Sequence, residues 1–194
     1  NLKNANLKDA NLTKANLKNG NLENANSEGA YFDESNLENA NLKNTQLNNC
    51  DIIDANLKNA NLFGAYLVGS YLRSNADKVI LQNANLENAN LYDGSFKYAN
   101  LKNANLRNTN LESADFQKAN LKDADLFYSY LKDTNLRNAN LENARLEGIN
   151  QRYNTEEGNV TTVEFGDIMN TNLRNANLSG ANLQIAYLFG AKLQ

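Results

Sequence analysis

A five-residue sequence repeat runs through almost the whole chain, and it constrains the fold more than any other feature. Written N-L-x-N-A, it places Leu, Ile or Phe at 34 of 35 positions on a five-residue lattice between Leu2 and Leu193, with Ser27 as the exception. A period of five matches neither the period of a helix, roughly 3.6 residues, nor that of a strand, about two. Internal repetition of this kind is typical of a solenoid, in which each unit packs only against its neighbours.

A small residue lies two positions before each large apolar one. Ala fills most of these places, and Gly20, Thr45 and Cys50 are among the substitutes. Residues two apart in an extended segment point to the same side. We therefore expect the small and the large residue to face inward and the other three to face outward, with a corner after each short extended segment.

Charges at the outward position after each Leu indicate how many segments close one coil. Residues one coil apart in a stacked ladder lie about 4.8 Å apart, where like charges repel. Among charged residues 20 apart at this position, only Lys102 and Lys122 carry the same sign of charge. At separations of 15 and 25 residues, pairs of like and of opposite charge both occur. The opposite pairs are Lys3–Glu23, Glu23–Lys43, Lys8–Glu28, Lys18–Glu38, Glu38–Lys58, Glu87–Arg107, Glu112–Lys132 and Lys122–Glu142. These charges favour four pentapeptides per coil.

The repeats resemble those of the pentapeptide repeat family, whose motif is A-(D/N)-L-x-x. Ala5-Asn6-Leu7-Lys8-Asp9 and Ala104-Asn105-Leu106-Arg107-Asn108 match this motif directly. The resemblance covers nearly the whole chain and implies an all-β fold, a right-handed quadrilateral parallel β-helix. With four repeats per coil, the 194 residues predict about nine coils in one domain that spans residues 1–194.

Two interruptions break the lattice. Leu72 and Leu81 are nine residues apart, one short of two repeats, so we expect the stretch 73–80 to absorb a register slip as a tightened corner or bulge. A longer loop insertion at 149–167 is polar at first and then alternates like a short strand. Loops on a rigid scaffold often carry binding residues, although a harmless surface insertion is the simpler interpretation. The candidate contact residues of this loop are Arg152, Tyr153, Glu156, Glu157 and Glu164.

Aromatic and aliphatic residues replace the usual Asn, Lys, Glu and Asp at outward positions in three places. These groups are Ile53, Phe63, Tyr66, Val68 and Tyr71, then Phe127, Tyr128 and Tyr130, and finally Ile185, Tyr187 and Phe189. Exposed apolar patches can mark interaction surfaces, but aromatic cross-strand pairs also stabilise sheets. Structural packing is the simpler interpretation. The predicted interaction surface consists of Phe63, Tyr66, Tyr71, Phe127, Tyr128 and Tyr130.

The Asn residue before each Leu forms a column with one-coil spacing, as at Asn1, Asn21, Asn41 and Asn61. A ligand site is one interpretation of such a column. Stacked Asn amides bond to one another along a ladder, and Asn tolerates corner conformations. We therefore predict a structural role for this column.

The composition argues against several kinds of site. The chain has no His, and its one cysteine, Cys50, permits neither an internal disulfide nor a thiolate metal cluster. Lys plus Arg total 19 and Asp plus Glu total 22, a net charge of −3 that argues against phosphate-driven nucleic acid binding. No apolar run approaches the length of a membrane-spanning helix. We predict no catalytic residues, no cofactor, no metal, no nucleic acid partner and no membrane insertion.

The chain begins at Asn1, already in repeat phase. We expect a mature form from which a leader could have been removed, so the cytoplasm, the periplasm and the thylakoid lumen all remain open. A β-helix exposes unpaired backbone at its ends unless they are capped, and no amphipathic capping helix is visible in the sequence. Either terminal caps have been removed from this chain or its ends pair with another chain, so end-to-end homodimerisation is a hypothesis.

The sequence favours a non-enzymatic structural scaffold or protein–protein interaction module with an unknown protein partner. The family resemblance does not narrow the function further, since many members occur in cyanobacteria and most have no assigned biochemical role. The alternative is a DNA-mimicking inhibitor of a type II topoisomerase, as some members of the family are. Mimicry of DNA needs a strongly negative surface, and alternation of Lys with Glu along the ladders disfavours it.

Overall fold

Each pentapeptide folds into one bridging residue followed by a two-residue turn. The structure is a computed structural model, and it describes residues 1–147, 171–184 and 191–193. Within these residues the strands are single β-bridges and no helix is present. The bridging residue precedes the Leu of its repeat and pairs in parallel with the residue 20 positions further on, as Asn6 does with Asn26. Four pentapeptides therefore close one coil, as the charge pattern predicts.

We number the four sides of the coil by the first coil, in which Leu2, Leu7, Leu12 and Leu17 lie on faces 1, 2, 3 and 4. The bridges of face 4 link one residue of every coil to the next. They join Asn16, Asn36, Asn56, Asn75, Ser95, Asp115, Asn135, Asn172 and Lys192. This column has one member per coil, so the rod has the predicted nine coils.

Each regular corner is a type II turn with a residue in the left-handed region at its third position. In the first repeat the Ala5 N–H donates to the Leu2 carbonyl at 3.0 Å, and Asn4 has a φ of 58°. A type II turn requires positive φ at this place, which Asn and Gly adopt more readily than other residues. Tyr98 and Tyr128 also occupy it, with φ of 58° and 60°, although bulky residues rarely do so.

The Asn column before each Leu has the predicted structural role, but it is not the corner residue. Its side-chain oxygen accepts a hydrogen bond from the backbone N–H two residues on, as Asn41 does from Lys43 at 3.3 Å. Its amide group also bonds along the ladder, with Asn41 donating to Asn21 at 3.3 Å. The corner conformation belongs to a second Asn column, three residues further along the chain.

The core consists of stacked ladders of large and small side chains. Leu106 is fully buried and Ala104, two residues before it, is 1% exposed, as the inward-facing prediction requires. Phe96 and Phe116 occupy the large position on successive coils of face 4, and their rings stack with centroids 4.9 Å apart and planes inclined by 6°. Burial of one Leu stabilises the fold by about 1.5–3 kcal/mol, and every complete coil buries several such side chains.

Hydroxyl groups in the core differ in their hydrogen bonding. Ser70 donates to the Leu47 carbonyl and accepts from the Cys50 N–H at 3.2 Å. Thr45 donates to the Leu22 carbonyl at 2.9 Å. Ser27, which replaces Leu in the lattice, is fully buried and its hydroxyl has no hydrogen-bond partner among the described residues. A buried hydroxyl without a partner costs about 1–3 kcal/mol, so Ser27 is a weak point of the rod.

Ion pairs between coils form at five of the eight predicted pairs. These are Lys3–Glu23, Lys8–Glu28, Lys18–Glu38, Lys122–Glu142 and Lys132–Glu112, with distances of 2.8–3.5 Å. Glu23 and Glu38 each pair with the lysine one coil earlier in the chain, Lys3 and Lys18. The lysines one coil later, Lys43 and Lys58, therefore do not pair with them. Exposed pairs of this kind contribute little to stability, about 0–1 kcal/mol each, but they fix the charge balance of the surface.

The fourth coil is one residue shorter than the others. Asn56 bridges Asn75 at a spacing of 19, and Asn75 then bridges Ser95 at the usual spacing of 20. The missing residue is the left-handed one of the turn after Leu72. In the next repeat the two inward residues exchange their usual sizes. Ala76 occupies the position that Leu normally fills, Val79 occupies the position that Ala normally fills, and both are buried.

A wider spacing of 37 residues separates the coils that flank the second interruption. Asn135 bridges Asn172, and Arg145 bridges Asn182. The lattice therefore resumes in register after 17 additional residues, the difference between 37 and the regular 20. All residues of the predicted insertion at 149–167 lie outside the described part, and the organisation of 1–194 as one domain stays a prediction.

Candidate interaction surface

The first predicted aromatic group does not form one patch. Phe63 lies on face 1, Tyr66 on face 2 and Tyr71 on face 3 of the fourth coil. The Nζ atom of Lys43 lies 5.5 Å from the centroid of the Phe63 ring, so this ring has a cation from its own chain. Successive repeats turn around the coil, and residues that cluster in the sequence are therefore distributed over different faces.

Phe127 and Tyr128 form a patch on face 2 that the chain's own arginines cover. The two ring centroids are 3.9 Å apart. Arg107 and Arg145, from the coils on either side, place their Cζ atoms 4.7 and 4.0 Å from the centroid of Phe127. Both distances are within the range of a cation–π interaction, about 6 Å. Tyr130, the third predicted member of this group, lies on face 3.

Carboxylates complete this arrangement, which we call the arginine–phenylalanine patch. Asp125 Oδ2 is 3.3 Å from Nη1 of Arg107 and 3.8 Å from Nη1 of Arg145. Glu147 accepts hydrogen bonds from Nε and Nη2 of Arg145 at 3.1 and 2.8 Å. The hydrogen bond with Glu147 raises the pKa of Arg145 above its ordinary value. The charges of this patch are balanced within the chain, which indicates a packing role.

A second arrangement, on face 3, consists of Tyr31, Asp51 and Tyr71, which we call the face 3 triad. The three residues follow one another in a single bridging column, one coil apart. Tyr31 is 47% exposed and Tyr71 is 49% exposed. Of the three, the sequence analysis identified only Tyr71, because the other two lie 40 and 20 residues before it. Reading the sequence in steps of one coil places all three side by side.

The carboxylate of the face 3 triad lies in an acidic environment. Partial burial raises the pKa of Asp51, and the negative charge of Asp33 raises it further. Asp33 Oδ1 accepts a hydrogen bond from the Ile53 backbone N–H at 3.1 Å. Neither carboxylate forms an ion pair within the part of the chain that the structure describes, because the nearby Lys14 pairs with Glu34 and Arg73 with Asp54.

The shortened corner opens a cleft with a volume of about 600 Å³ between faces 3 and 4. Asp54 and Asp93 hold the left-handed turn position on the coils before and after it, with φ of 56° and 55°. The coil between them lacks this residue. Arg73 spans part of the gap, with Nη2 3.1 Å from Asp54 Oδ2. The cleft is a direct result of the register slip.

The remaining predicted residues cannot be placed. Arg152, Tyr153, Glu156, Glu157 and Glu164 of the insertion lie outside the described residues, and so does the third aromatic group. That group comprises Ile185, Tyr187 and Phe189. Their part in an interaction surface stays a prediction.

Cys50 is not a reactive thiol. Burial raises its pKa to about 12, and its Sγ lies 2.9 Å from the Ser27 carbonyl oxygen. A thiol with this pKa carries almost no thiolate at neutral pH and is a poor nucleophile. Within 1–147, 171–184 and 191–193, no three acidic, His or Cys side chains are grouped as metal ligands would be. The same residues contain no helix with the length and apolar character needed to cross a bilayer.

Comparisons with known proteins agree with the repeat pattern. A family model described as pentapeptide repeat region matches residues 71–150, and one described as pentapeptide repeats (8 copies) matches residues 1–26, 30–69 and 167–194. A search of curated proteins finds no match.

Two solved structures are similar over most of their length. HetL, a pentapeptide repeat protein involved in heterocyst differentiation regulation from the cyanobacterium Nostoc sp. strain PCC 7120, is 25% identical, with a TM-score of 0.65, over 97% of this chain and 86% of that chain. Trypsin-treated QnrB1, a plasmid-mediated fluoroquinolone resistance protein, is 17% identical, with a TM-score of 0.59, over 95% of this chain and 86% of that chain. The predicted right-handed quadrilateral β-helix is confirmed.

Proposed function

The chain belongs to the pentapeptide repeat family, and from that premise we propose that it is a non-enzymatic scaffold that binds a protein partner through its outward side chains.

The filled interior is the observation that supports this proposal. Between Leu22 and Leu146 the inward side chains are buried almost completely. The ladders of large and small side chains fill the centre of the rod with mainly apolar atoms. Interiors packed in this way have no room for a substrate. Any ligand must therefore contact the outer faces, the corners or the insertion, and those positions are where the repeats vary most.

The similarity to HetL supports a regulatory form of this role. HetL is involved in heterocyst differentiation regulation, and 97% of the present chain aligns with it at 25% identity. A rigid rod with varied outer faces presents side chains at fixed spacing, so it loses little conformational entropy when a partner binds. Regulation of a partner protein by such contact is part of our proposal for this chain.

The alternative function, inhibition of a type II topoisomerase by DNA mimicry, is disfavoured by the surface charge. Ion pairs such as Lys18–Glu38 and Lys122–Glu142 alternate the sign of charge along the rod. A duplex, in contrast, presents one sign of charge throughout. Inhibition of gyrase supercoiling by micromolar protein would favour the alternative, and absence of inhibition would count against it.

A comparison of three variants tests the proposed function. The intact chain, a variant in which residues 150–166 are replaced by a short turn, and a variant with Tyr31, Asp51 and Tyr71 all changed to Asn are used to capture proteins from the native lysate. Each captured protein is then purified and recombined with the intact chain. We expect one partner to reconstitute a stoichiometric complex and to be lost with one surface variant but not the other. Failure to reconstitute any complex would contradict the proposal.

End-to-end homodimerisation stays a prediction. Light scattering of the purified chain measures its mass in solution. A mass of twice 21.6 kDa would support it, and a monomer mass would exclude it.

A further inference from the structure

The backbone fixes the spacing of the face 3 triad. The Phe32 N–H donates to the Asp51 carbonyl at 2.6 Å, and the Ile52 N–H donates to the Tyr71 carbonyl at 2.8 Å. Adjacent members of such a ladder are about 4.8 Å apart, so the two tyrosines are separated by about 10 Å with Asp51 midway between them. The spacing is preorganised, because each residue is held by its own coil.

This spacing suits a cation. One ladder step, about 5 Å, separates Asp51 from the column position of each flanking tyrosine. A positive group bound to the Asp51 carboxylate is therefore within reach of both rings for a cation–π interaction. Asp33 adds a second negative charge beside Asp51. Both tyrosines are about half exposed, so their rings are accessible from solvent.

The arginine–phenylalanine patch shows the same combination satisfied within the chain. There an aromatic ring, Phe127, and a carboxylate, Asp125, share the guanidinium groups of Arg107 and Arg145. The face 3 triad has the rings and the carboxylate, but no cation lies on it among the described residues. The fold therefore contains both a complete arrangement and one that lacks its cation.

The basic residues on the corner beside the triad are already paired. Lys14 lies 3.5 Å from Glu34, and Arg73 lies 3.1 Å from Asp54, with both pairs on the corner between faces 3 and 4. A cation for Asp51 must therefore come from another molecule. Nucleic acid is a poor occupant, because its phosphates would meet Asp33 and Asp51.

We propose that Tyr31, Asp51 and Tyr71 form a binding site for an arginine side chain in a basic segment of the partner protein. A guanidinium group fits this site better than an ammonium group, because it stacks on aromatic rings and bonds a carboxylate through two N–H groups. The inference rests on the proposed function and deepens it, since it specifies the chemistry of the partner.

The test uses defined peptides and the full chain. A synthetic peptide with three arginines spaced by Gly-Ser is titrated into the ¹⁵N-labelled protein, and backbone shifts are followed by NMR. Peptides with lysine or citrulline in place of arginine serve as matched probes. We expect shifts centred on Tyr31, Asp51 and Tyr71 with the arginine peptide, weaker binding with lysine, and loss of binding with citrulline. Equal binding of the citrulline peptide would overturn the proposal.

Variants of the triad separate binding from folding. Asn occupies the same column of face 3 at Asn11, Asn90 and Asn110, so Asp51→Asn and Tyr71→Asn preserve the ladder. We expect at least tenfold weaker binding of the arginine peptide to Asp51→Asn, with the thermal transition retained. Tyr130→Asn is the matched control in the same column, and it should bind as the unchanged chain does. Unchanged affinity in Asp51→Asn would overturn the proposal.

The two proposals fail in different ways. A protein partner that still forms a complex with the triple Asn variant of the triad, but not with the shortened insertion, would preserve the proposed function and overturn this inference. Loss of that complex in the triple variant, together with binding of the arginine peptide at the triad, would support both.

Discussion

The regular coils and the fourth coil differ by one residue, and the difference shows what holds the register. A regular corner has a left-handed residue and a turn hydrogen bond, such as that from Ala104 N to Leu101 O at 3.0 Å. The corner after Leu72 lacks the left-handed residue, yet Asn75 bridges both Asn56 and Ser95. The ladder between coils therefore determines the fold, and an individual corner can be altered without loss of the rod.

The largest expected effect comes from placing a charge in the ladder of a regular coil. Leu106→Asp buries a carboxylate among Leu and Ala side chains, so we expect a loss of about 5 kcal/mol or local unfolding. Lys102→Ala, on the outer side of the neighbouring repeat, should change stability by less than about 0.5 kcal/mol. Urea denaturation followed by circular dichroism measures both. Equal losses in the two variants would contradict the inward and outward assignment.

A second prediction compares two buried serines, Ser27 in a regular coil and Ser70 at a corner of the fourth coil that keeps its left-handed residue and turn hydrogen bond. Ser70→Ala removes a hydroxyl that bonds Leu47 O and Cys50 N, so we expect a loss of about 1–2 kcal/mol. Ser27→Ala removes a hydroxyl without a partner among the described residues and should stabilise the rod by about 1 kcal/mol. The same denaturation experiment applies. A loss of stability in both variants would indicate that the Ser27 hydroxyl is bonded in solution.

A third prediction converts the fourth coil into a regular one. Insertion of Asn between Arg73 and Ser74 restores the left-handed turn residue and its hydrogen bond, and should close the cleft beside Asp54 and Asp93. We expect a gain of about 1 kcal/mol or less, because one turn hydrogen bond is worth roughly that much. Insertion of Asn after Asn83, in a regular corner, is the matched control and should destabilise. Destabilisation by both insertions would show that the short coil is tightly adapted.

The smallest expected effect concerns the pH dependence of stability on face 3. The pKa of Asp51 is raised in the fold by burial and by Asp33, so the folded state binds this proton more tightly than the unfolded state. As pH rises from the ordinary Asp pKa of about 3.9 through the raised value, the ionised group lowers stability.

Asp51→Asn should therefore be slightly more stable than the unchanged chain at neutral pH and equal to it in acid. Thermal scans at several pH values measure the difference. If Asp51→Asn is less stable than the unchanged chain at neutral pH, the surroundings of Asp51 do not disfavour its ionised form, and the prediction is wrong. Greater stability combined with weaker binding of the arginine peptide would indicate that Asp51 is retained for binding.

The sequence predicts the lattice well because each repeat carries its own structural signals. The charges of Lys18 and Glu38 indicate the coil length, and the spacing of Ala104 and Leu106 indicates the inward pair. The surface is less predictable, because neighbours in space are 20 residues apart. The triad of Tyr31, Asp51 and Tyr71 becomes visible only when the coil length is known. The exchange of Ala76 and Val79 could not be predicted, since it depends on which corner residue is missing.

The ladder that defines the fold also keeps its contacts short along the chain. Bridged residues are 20 apart in a chain of 194, a relative separation of 20/194, or about 0.10. Values near this are typical of helical bundles that fold in microseconds to milliseconds, whereas all-β domains are usually near 0.16–0.22. Each completed coil is a template for the next, so additional coils lengthen the rod without lengthening the loop that must close. The step of 37 residues at the insertion is the exception, and propagation along the rod should slow there.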